Sequence, residues 1–132
     1  MLKFRSYVHD SLRKNKVFLM GDAAHTVPPT GAKGLNLAFS DVLWLNRALR
    51  EYYRSGSEQF LDSYQEDALK RIWKATNYSY MMTTMLHIAP DATEFDKNRQ
   101  VADLYSHTES LAGQTFIAEG YVGWDYDADD WR

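Results

Sequence analysis

Residues 17–34 read VFLMGDAAHTVPPTGAKG, a short apolar run followed by a Gly-Asp pair and a loop rich in proline and glycine. Four apolar residues that stop at a turn signal favour a buried strand over 17–20, although the pattern does not exclude a helix. Two prolines and two glycines within 27–34 forbid a regular helix there and require a shaped loop. The stretch therefore predicts a strand, a tight turn and a structured loop, in that order.

Helical periodicity governs the chain after this loop. Apolar residues recur three or four positions apart from Leu35 to Tyr52, which predicts an amphipathic helix that ends at residues 55–57, Ser-Gly-Ser. A second series covers residues 60–86 and is closed by Pro90. At roughly thirty residues, this second helix is longer than the usual globular helix.

Two weaker helical stretches and a distinctive tail complete the chain. We expect a third helix over about 93–112 that stops near Gly113, because glycine commonly ends helices. A further short helix is predicted over 114–120. Residues 121–132 form an aromatic tail that is interrupted by glycine and becomes acidic towards its end.

The fold class predicted from these patterns is mainly α with one or a few short strands. The apolar run at 17–20 has no obvious partner strand elsewhere in the chain, and a lone buried strand cannot satisfy its own backbone groups. The run therefore resembles one strand of a sheet that another part of a protein completes. We treat 1–132 as a single unit, with the strand and loop in 1–38, a helical region in 39–120 and the tail after it.

Composition excludes several classes of function. The 132 residues include 15 Lys and Arg and 18 Asp and Glu, for a formal net charge of -3, which argues against a nucleic-acid partner. The chain has no cysteine, and its 4 histidines are scattered, so we expect no disulfide and no metal site. No run approaches the roughly 20 apolar residues of a membrane span, and no signal peptide is apparent. We expect a cytoplasmic protein without a membrane partner.

The strand, turn and loop carry the groups of a ligand site. Gly21 lets the backbone turn sharply, and the Asp22 carboxylate can accept hydrogen bonds from the hydroxyls of a sugar or polyol. The loop opens a helix, where the free backbone N–H groups of Gly34, Leu35 and Asn36 and the positive end of the helix dipole favour an anion. Each of these residues, taken alone, could have a purely structural role instead of a role in ligand binding.

The residues of the turn and the loop have specific structural alternatives to ligand binding. Asp22 could cap a short helix that begins at Ala23, and Gly31 and Gly34 could be ordinary turn residues. His25 is interpreted as a packed or hydrogen-bonded side chain rather than a catalytic one. Lys33 adds a positive charge beside the anion-favouring helix start, which strengthens the ligand interpretation.

Several separate segments resemble the FAD-dependent aromatic hydroxylases. The similarity extends from about Arg5 to Tyr126, and it implies the C-terminal fragment of an α/β FAD/NAD(P)-binding (Rossmann-like) flavoprotein hydroxylase. The motif with Gly21-Asp22 and the loop after it resembles the second flavin-binding motif of that family. The segments that carry the resemblance, in order, are Gly21-Asp22-Ala23-Ala24-His25, Pro28-Pro29-Thr30-Gly31-Ala32-Lys33-Gly34-Leu35-Asn36-Leu37-Ala38, Ser40-Asp41-Val42, Arg71-Ile72-Trp73-Lys74-Ala75 and Ala118-Glu119-Gly120-Tyr121-Val122-Gly123.

The resemblance implies which residues bind the cofactor. Asp22 would hydrogen-bond the ribityl chain of FAD. The backbone N–H groups at Leu35 and Asn36, next to Gly34, would contact the pyrimidine edge of the isoalloxazine and stabilise the negative charge of the reduced ring. Lys33 would supply positive potential to the flavin and to a substrate phenolate.

The resemblance also implies a small aromatic substrate. The reaction would be the hydroxylation of 4-hydroxybenzoate or a close phenolic acid, with NADPH or NADH as reductant and oxygen as co-substrate. The Pro29 carbonyl would face the substrate phenol, with Thr30 and Ala32 in the same pocket. Tyr121 would be the outer member of a tyrosine pair that relays the phenol proton, although spacing alone equally favours a packed aromatic at this position.

The family's G-x-G-x-x-G motif, which receives the FAD pyrophosphate, does not occur in this sequence. The chain corresponds to about the last third of the family's length, so we expect the isolated chain to be inactive. Its exposed apolar faces would bind a second copy of the chain or the missing N-terminal half. The candidates for that surface are Trp44, Trp73 and residues 78–85, for which a place in the buried core is the equal alternative. The alternative function is a non-catalytic helical interaction or oligomerisation module derived from the same fold.

Overall fold

The computed structural model describes residues 5–123, which form two small antiparallel ribbons followed by four helices. The predicted aromatic and acidic tail lies outside the described residues from Trp124 onwards. In chain order the strands are β1 (Tyr7–Val8), β2 (Arg13–Lys14), β3 (Val17–Phe18) and β4 (His25–Thr26), and the helices are α1 (Lys33–Ser55), α2 (Gln59–Leu86), α3 (Glu94–Thr108) and α4 (Leu111–Val122). The predicted class, mainly α with a few short strands, is confirmed.

The predicted strand at 17–20 has a partner within the chain, so the expectation of an unpaired strand was wrong. β3 pairs with β2 in a tight hairpin, whose turn residue Asn15 adopts a positive φ of 55°. Beyond the ribbon, the Leu19 N–H donates to the Leu12 carbonyl at 2.8 Å. The run is also less buried than expected, because the Val17 side chain is 63% exposed. Two-residue strands carry almost no periodic signal, and for that reason the sequence did not reveal them.

The β1–β4 ribbon places residues 7–9 beside the Gly-Asp turn. β1 and β4 pair antiparallel, with Tyr7 opposite Thr26 and Val8 opposite His25. The ribbon is extended by the His9 N–H, which donates to the Ala24 carbonyl at 2.9 Å. A segment before the turn and a segment after it are thus held side by side.

The two long helices agree with the periodicity that predicted them. α1 ends at Ser55, and Gly56 follows in the left-handed conformation with φ 77°, as expected from the Ser-Gly-Ser sequence. α2 runs from Gln59 to Leu86. The connection between them is short, and α1 packs along α2 with its first residues beside the C-terminal half of that helix.

The core forms where the N-terminal ribbons meet these two helices. The Tyr64 hydroxyl donates to the Leu19 carbonyl at 2.9 Å, which fastens the β2–β3 hairpin to α2. Burial, reinforced by the negative charge of Asp41, raises the pKa of the Tyr64 phenol, which stays neutral at physiological pH. The buried members of the core are Leu12, Ala24, Val27, Leu37, Tyr64, Ala68, Ile72 and Ala75.

The boundary between α3 and α4 differs from the prediction. α3 ends at Thr108, and Gly113 lies inside α4 rather than after α3. The Ser110 side chain caps α4 by accepting a hydrogen bond from the Gly113 N–H at 3.0 Å. A Cβ at Gly113 would lie 2.6 Å from the His107 carbonyl oxygen, so glycine permits the close approach of the two helices. Gly113 therefore allows the two helices to pack closely, and the expectation that it ends α3 was wrong.

α4 also extends through Tyr121 and Val122, two residues beyond the expected end of the helical region. Gly120 is the buried residue of this helix, while no residue of α3 is buried. Along α1, one face is apolar and exposed, and it includes Leu35, Phe39, Val42, Leu49 and Tyr53. None of the described helices is long and apolar enough to cross a membrane.

The expected association surface is only partly exposed. Trp73 is 55% exposed and Tyr80 is 50% exposed, as a surface would require. Tyr78 and Met85 are buried, however, and they belong to the interior of the helical region. The exposed apolar face of α1 is more continuous than this part of α2.

Candidate functional site

The Gly-Asp turn presents a free carboxylate. Residues Gly21–Ala23 form one short 3₁₀ turn, with Gly21 at a positive φ of 58°. The Tyr7 hydroxyl donates to the backbone carbonyl of Asp22 and fixes the turn. The Asp22 side chain is exposed, caps no helix and makes no hydrogen bond within residues 5–123. The carboxylate therefore keeps its full capacity to accept hydrogen bonds from a ligand.

A buried contact between a histidine and an aspartate ties this turn to α1. The His25 Nε2 atom lies 2.7 Å from Asp41 Oδ2, and both side chains are 1% exposed. The same carboxylate oxygen accepts the Gly21 N–H at 2.8 Å. The interpretation of His25 as a hydrogen-bonded interior residue is confirmed.

Asp41 is the residue that sequence reasoning missed at this turn. The helical spacing contained a signal, because Asp41 lies three to four positions from Leu37, Ala38 and Leu45 on the face that packs inward. A carboxylate on a buried face requires a partner. The sequence did not show which donor would supply it.

The loop leads into an α1 start that no side chain caps. Ala32 occupies the N-cap position in the left-handed conformation, φ 50° and ψ 39°, without a side-chain hydrogen bond. Its N–H donates to the Pro29 carbonyl at 2.9 Å, which leaves that oxygen one further lone pair. The N–H groups of Lys33, Gly34 and Leu35 precede the first hydrogen bond within the helix.

These amides lie on an open face of the molecule. Leu35 is 69% exposed, and a Cβ built on Gly34 would meet no atom within 4 Å. Asn36, which is also exposed, is the first residue whose N–H falls within the helical hydrogen-bond pattern, because α1 begins at Lys33; the expectation of a free amide at Asn36 was wrong. The helix dipole and the unpaired amides together favour a group that carries negative charge.

Lys33 points into the helical region rather than out of the loop. Its ammonium donates to the Tyr121 carbonyl and lies 5.4 Å from the centroid of the Tyr78 ring and 5.6 Å from that of Tyr121. The residue is 4% exposed, and this burial lowers the pKa of the Lys33 ammonium. Two predicted site residues that are 88 positions apart in sequence, Lys33 and Tyr121, are thus brought together.

The predicted substrate residues lie on one edge of the loop. Pro29 and Ala32 are exposed and Thr30 is half-buried. The hydroxyls of Thr30 and Thr83 are joined by a hydrogen bond of 2.9 Å, which anchors the loop on α2. The Tyr121 ring, at 62% exposure, lies beyond Lys33 at the end of α4.

A cavity of about 320 Å³ lies between α1, α2 and the end of α4, next to the start of α1. Its wall is largely apolar, with polar groups contributed by Lys33, Asn36 and Arg71. The cavity shares Lys33 and Asn36 with the predicted cofactor site. No cluster of potential metal ligands occurs in the described part of the chain.

Comparison with known proteins gives the family. A family model described as FAD binding domain matches residues 1–79, more than half of the chain. The p-hydroxybenzoate hydroxylase of Acinetobacter baylyi is 52% identical over 123 residues, which cover 93% of this chain and 30% of that protein. The chain belongs to the FAD-binding-domain family of aromatic monooxygenases. The resemblance noted in the sequence is confirmed, and the chain matches only part of the length of such an enzyme.

More distant relatives match a little under half of the chain. The 6-hydroxy-3-succinoylpyridine 3-monooxygenase of Pseudomonas putida is 37% identical over 65 residues, 48% of this chain and 16% of that protein. The rifampicin monooxygenase of Streptomyces venezuelae is 45% identical over 56 residues, 42% of this chain and 12% of that protein. This chain therefore spans less than a third of the length of these relatives, and the names of all three describe enzymes that add oxygen to an organic molecule.

Proposed function

We propose that this chain supplies the flavin-ring side of the FAD site in a monooxygenase that converts 4-hydroxybenzoate, or a close phenolic acid, to the 3,4-dihydroxy product with NADPH or NADH and oxygen. The observation that carries the proposal is the uncapped start of α1, which opens beside the loop that contains Pro29 and Thr30. The 52% identity to p-hydroxybenzoate hydroxylase supports this choice of substrate over the other ring systems named among the relatives.

The residues present fit a flavin. The free amides of Gly34 and Leu35 suit the electron-rich pyrimidine edge of the ring, and the open space at Gly34 lets a planar group approach the backbone. The Asp22 carboxylate, which has no partner among the described residues, suits the hydroxyls of the ribityl chain. Asp22 would hold the ribityl chain of the cofactor, the amides would hold the edge of the ring, and Gly34 would lie against the face of the ring.

Bound FAD would supply the electron transfer and the oxygen chemistry of the reaction. The protein groups act by orientation and electrostatics. The dipole of α1 and its first amides stabilise negative charge that develops at the ring edge, and they need no reorganisation because the helix already holds them. Lys33 adds a positive charge whose burial strengthens its effect, since a low dielectric screens it poorly.

The substrate side relies on the same loop. We expect the remaining lone pair of the Pro29 carbonyl to accept a hydrogen bond from the substrate hydroxyl, with Thr30 and Ala32 shaping the pocket. The Tyr121 hydroxyl would pass the phenol proton onwards, because α4 presents its exposed ring beside Lys33. Thr83 would keep the loop in place through its hydrogen bond to Thr30.

We further propose that the chain acts in association, in the cytoplasm and without a nucleic-acid or membrane partner. The exposed apolar face of α1 would be covered by a second copy or by an N-terminal portion of the kind found in the longer relatives. That same face is the observation that favours the second candidate function, a non-catalytic interaction module. Bound flavin would support the enzyme, and a stable oligomer without flavin affinity would support the module.

A chimeric enzyme tests the proposal. This chain would replace the matched segment of the Acinetobacter baylyi hydroxylase, and NADPH oxidation would be measured with 4-hydroxybenzoate and with related phenolic acids. We expect oxidation that depends on 4-hydroxybenzoate and yields the dihydroxy product. Asp22→Ala should abolish it through loss of FAD, whereas Asp10→Ala, which removes another exposed carboxylate, should leave it unchanged.

Two results would contradict the proposal. One is a chimera that binds FAD as tightly as its parent but oxidises NADPH equally with and without every phenolic acid. The other is substrate turnover by the isolated 132-residue chain with added FAD, since we propose that the site is incomplete without further protein.

A further inference from the structure

The Tyr78 ring lies between two glycines that come from different parts of the chain. A Cβ built on Gly31 would lie 3.5 Å from Tyr78 Cε1, an ordinary van der Waals contact. On the other side, a Cβ on Gly120 would lie 2.2 Å from Tyr78 Cε2, so α4 can pack here only because it has no side chain at that position. The ring thus separates the predicted substrate loop from α4, and Tyr78 is 3% exposed.

The polar contacts of Tyr78 involve the same two regions. Its hydroxyl donates to the Ile117 carbonyl in α4 at 3.1 Å. Its ring faces the Lys33 ammonium at 5.4 Å, and that ammonium donates to the Tyr121 carbonyl at the end of α4. Burial, with a smaller contribution from Tyr121, raises the pKa of the Tyr78 phenol, so the hydroxyl keeps the proton that it donates.

We propose that Tyr78 is a positioning residue, whose ring and hydroxyl together place the Lys33 ammonium and the Tyr121 turn of α4 beside the start of α1. This inference rests on the function proposed above and adds to it a second residue of α2, the helix that anchors the loop through Thr83. Tyr78 touches neither the free amides of α1 nor Asp22, and it acts through Lys33 and Tyr121.

The two parts of the Tyr78 side chain have separate tasks. The ring fills the space under Gly31 and gives the Lys33 ammonium an aromatic face in place of water, which keeps that charge close to the loop. The hydroxyl fixes α4 along its axis, because its acceptor lies one helical turn before Tyr121. Among residues 5–123, the titratable side chains that face Lys33 are Tyr78 from α2 and Tyr121 from α4, and Arg71 from α2 lines the same cavity.

Three variants separate these tasks. Tyr78→Phe keeps the ring and removes the hydroxyl, Tyr78→Leu removes the ring, and Gly120→Ala places a methyl group against the ring. Tyr80→Leu is the matched control, because Tyr80 is a tyrosine of the same helix and is 50% exposed. The readout is the pKa of the Lys33 ammonium, measured by NMR on the flavin-free chain, together with amide hydrogen exchange across α4.

We expect Tyr78→Leu and Gly120→Ala to raise the pKa of Lys33 towards the ordinary lysine value, because water reaches the ammonium when the ring is lost or α4 is displaced. Tyr78→Phe should leave that pKa unchanged and should speed amide exchange in α4 between Ile117 and Tyr121. The double variant Tyr78→Leu with Gly120→Ala should recover thermal stability relative to Gly120→Ala alone, without recovering the lowered pKa. Tyr80→Leu should change none of these quantities.

An unchanged Lys33 pKa in a folded Tyr78→Leu variant would overturn the proposal, as would unchanged α4 exchange in Tyr78→Phe. These readouts require no flavin, so they are independent of the proposed function. If Lys33 moves as expected and the FAD affinity of the chimera does not fall with it, the positioning of Lys33 stands and the assigned role of Lys33 at the flavin fails.

Discussion

α1 and α3 begin in opposite ways. At α3, the Thr93 hydroxyl accepts the Asp96 N–H at 3.2 Å, while the Asp96 carboxylate accepts the Thr93 N–H at 2.9 Å. The Thr93 hydroxyl, which also donates to the Asp96 carboxylate at 2.6 Å, and the Thr93 N–H together hold the pKa of the Asp96 carboxyl below its usual value. α1 begins at an alanine in a left-handed conformation, with no side-chain cap and with Lys33 in its first turn.

The comparison shows at which helix starts the chain supplies its own hydrogen-bond acceptor or negative charge. Ser110 caps α4, and the first turn of α2 carries Asp62, so each of these ends has an oxygen acceptor or a negative charge of its own. The first turn of α1 has neither. The exposed amides of α1 hydrogen-bond to water when no ligand is bound, and we propose that the edge of a flavin ring takes the place of that water.

The largest loss of stability is expected when the Gly-Asp turn is detached from α1. Asp41→Ala leaves the buried His25 ring and the half-buried Gly21 N–H without their common acceptor. We expect the free energy of unfolding to fall by about 2–5 kcal/mol, because each donor that loses its acceptor on burial costs about 1–3 kcal/mol. Urea unfolding of the chain measures this, with Asp62→Ala, an exposed ion-pair partner of Arg13, expected to cost under about 1 kcal/mol. Equal losses in both variants would contradict the account.

Removing the cap of α3 should have a smaller and local effect. Thr93→Ala deletes the capping box and should lower the stability of α3 by about 1 kcal/mol. Because no residue of α3 is buried, amide hydrogen exchange within α3 is a better readout than global unfolding. Protection lost in α1 as well as in α3 would show that the helix starts are not independent.

Acid should distinguish the same two helices. The folded pKa of Asp96 is lowered, so its contribution to α3 is present above the ordinary value of 3.8 and is lost as the pH falls through the folded pKa. The first turn of α1 has no acidic residue to protonate. Amide exchange followed on acidification should therefore show faster exchange in the first turn of α3, and Asp96→Asn should remove that pH dependence. A pH dependence that persists in Asp96→Asn would count against this origin.

The smallest effect should come from giving α1 the charge it lacks. Gly34→Asp places a carboxylate in the first turn without a clash and should raise stability by about 0.3–1 kcal/mol through the dipole, in addition to the gain from replacing glycine. Gly34→Asn has nearly the same size and no charge, so the difference between the two variants isolates the charge. Identical unfolding midpoints for the two would contradict the dipole argument.

Sequence reasoning succeeded where the signal was local. The ends of α1 and α2 follow from spacing and from Gly56, and the loop follows from its prolines and glycines. It failed where one residue served a distant contact. Gly113 has the composition of a helix end, yet its missing side chain admits the backbone of His107. The four strands are two residues each, too short for any periodicity.

The predictions for the site also succeeded for local features and failed for contacts between distant residues. Asp22 and the free amides of α1 could be predicted, because a turn and a helix start are properties of adjacent residues. The fastening of Gly21 by Asp41, and the packing of Tyr78 against Gly120, join residues 20 and 42 positions apart, and no local pattern reports such contacts. The burial of Lys33 under α4 could not be predicted for the same reason.

The most direct test of the central claim is a titration of FAD with the flavin-free chimeric enzyme described above, followed through the visible absorption of the flavin. If the start of α1 and Asp22 form the ring side of a flavin site, the absorption bands should shift in a saturable manner. Gly34→Asp should weaken that binding by charge repulsion, and Gly34→Asn should weaken it less. A spectrum that matches free FAD at every concentration of the chimera, or equal binding by the two Gly34 variants, would contradict the account.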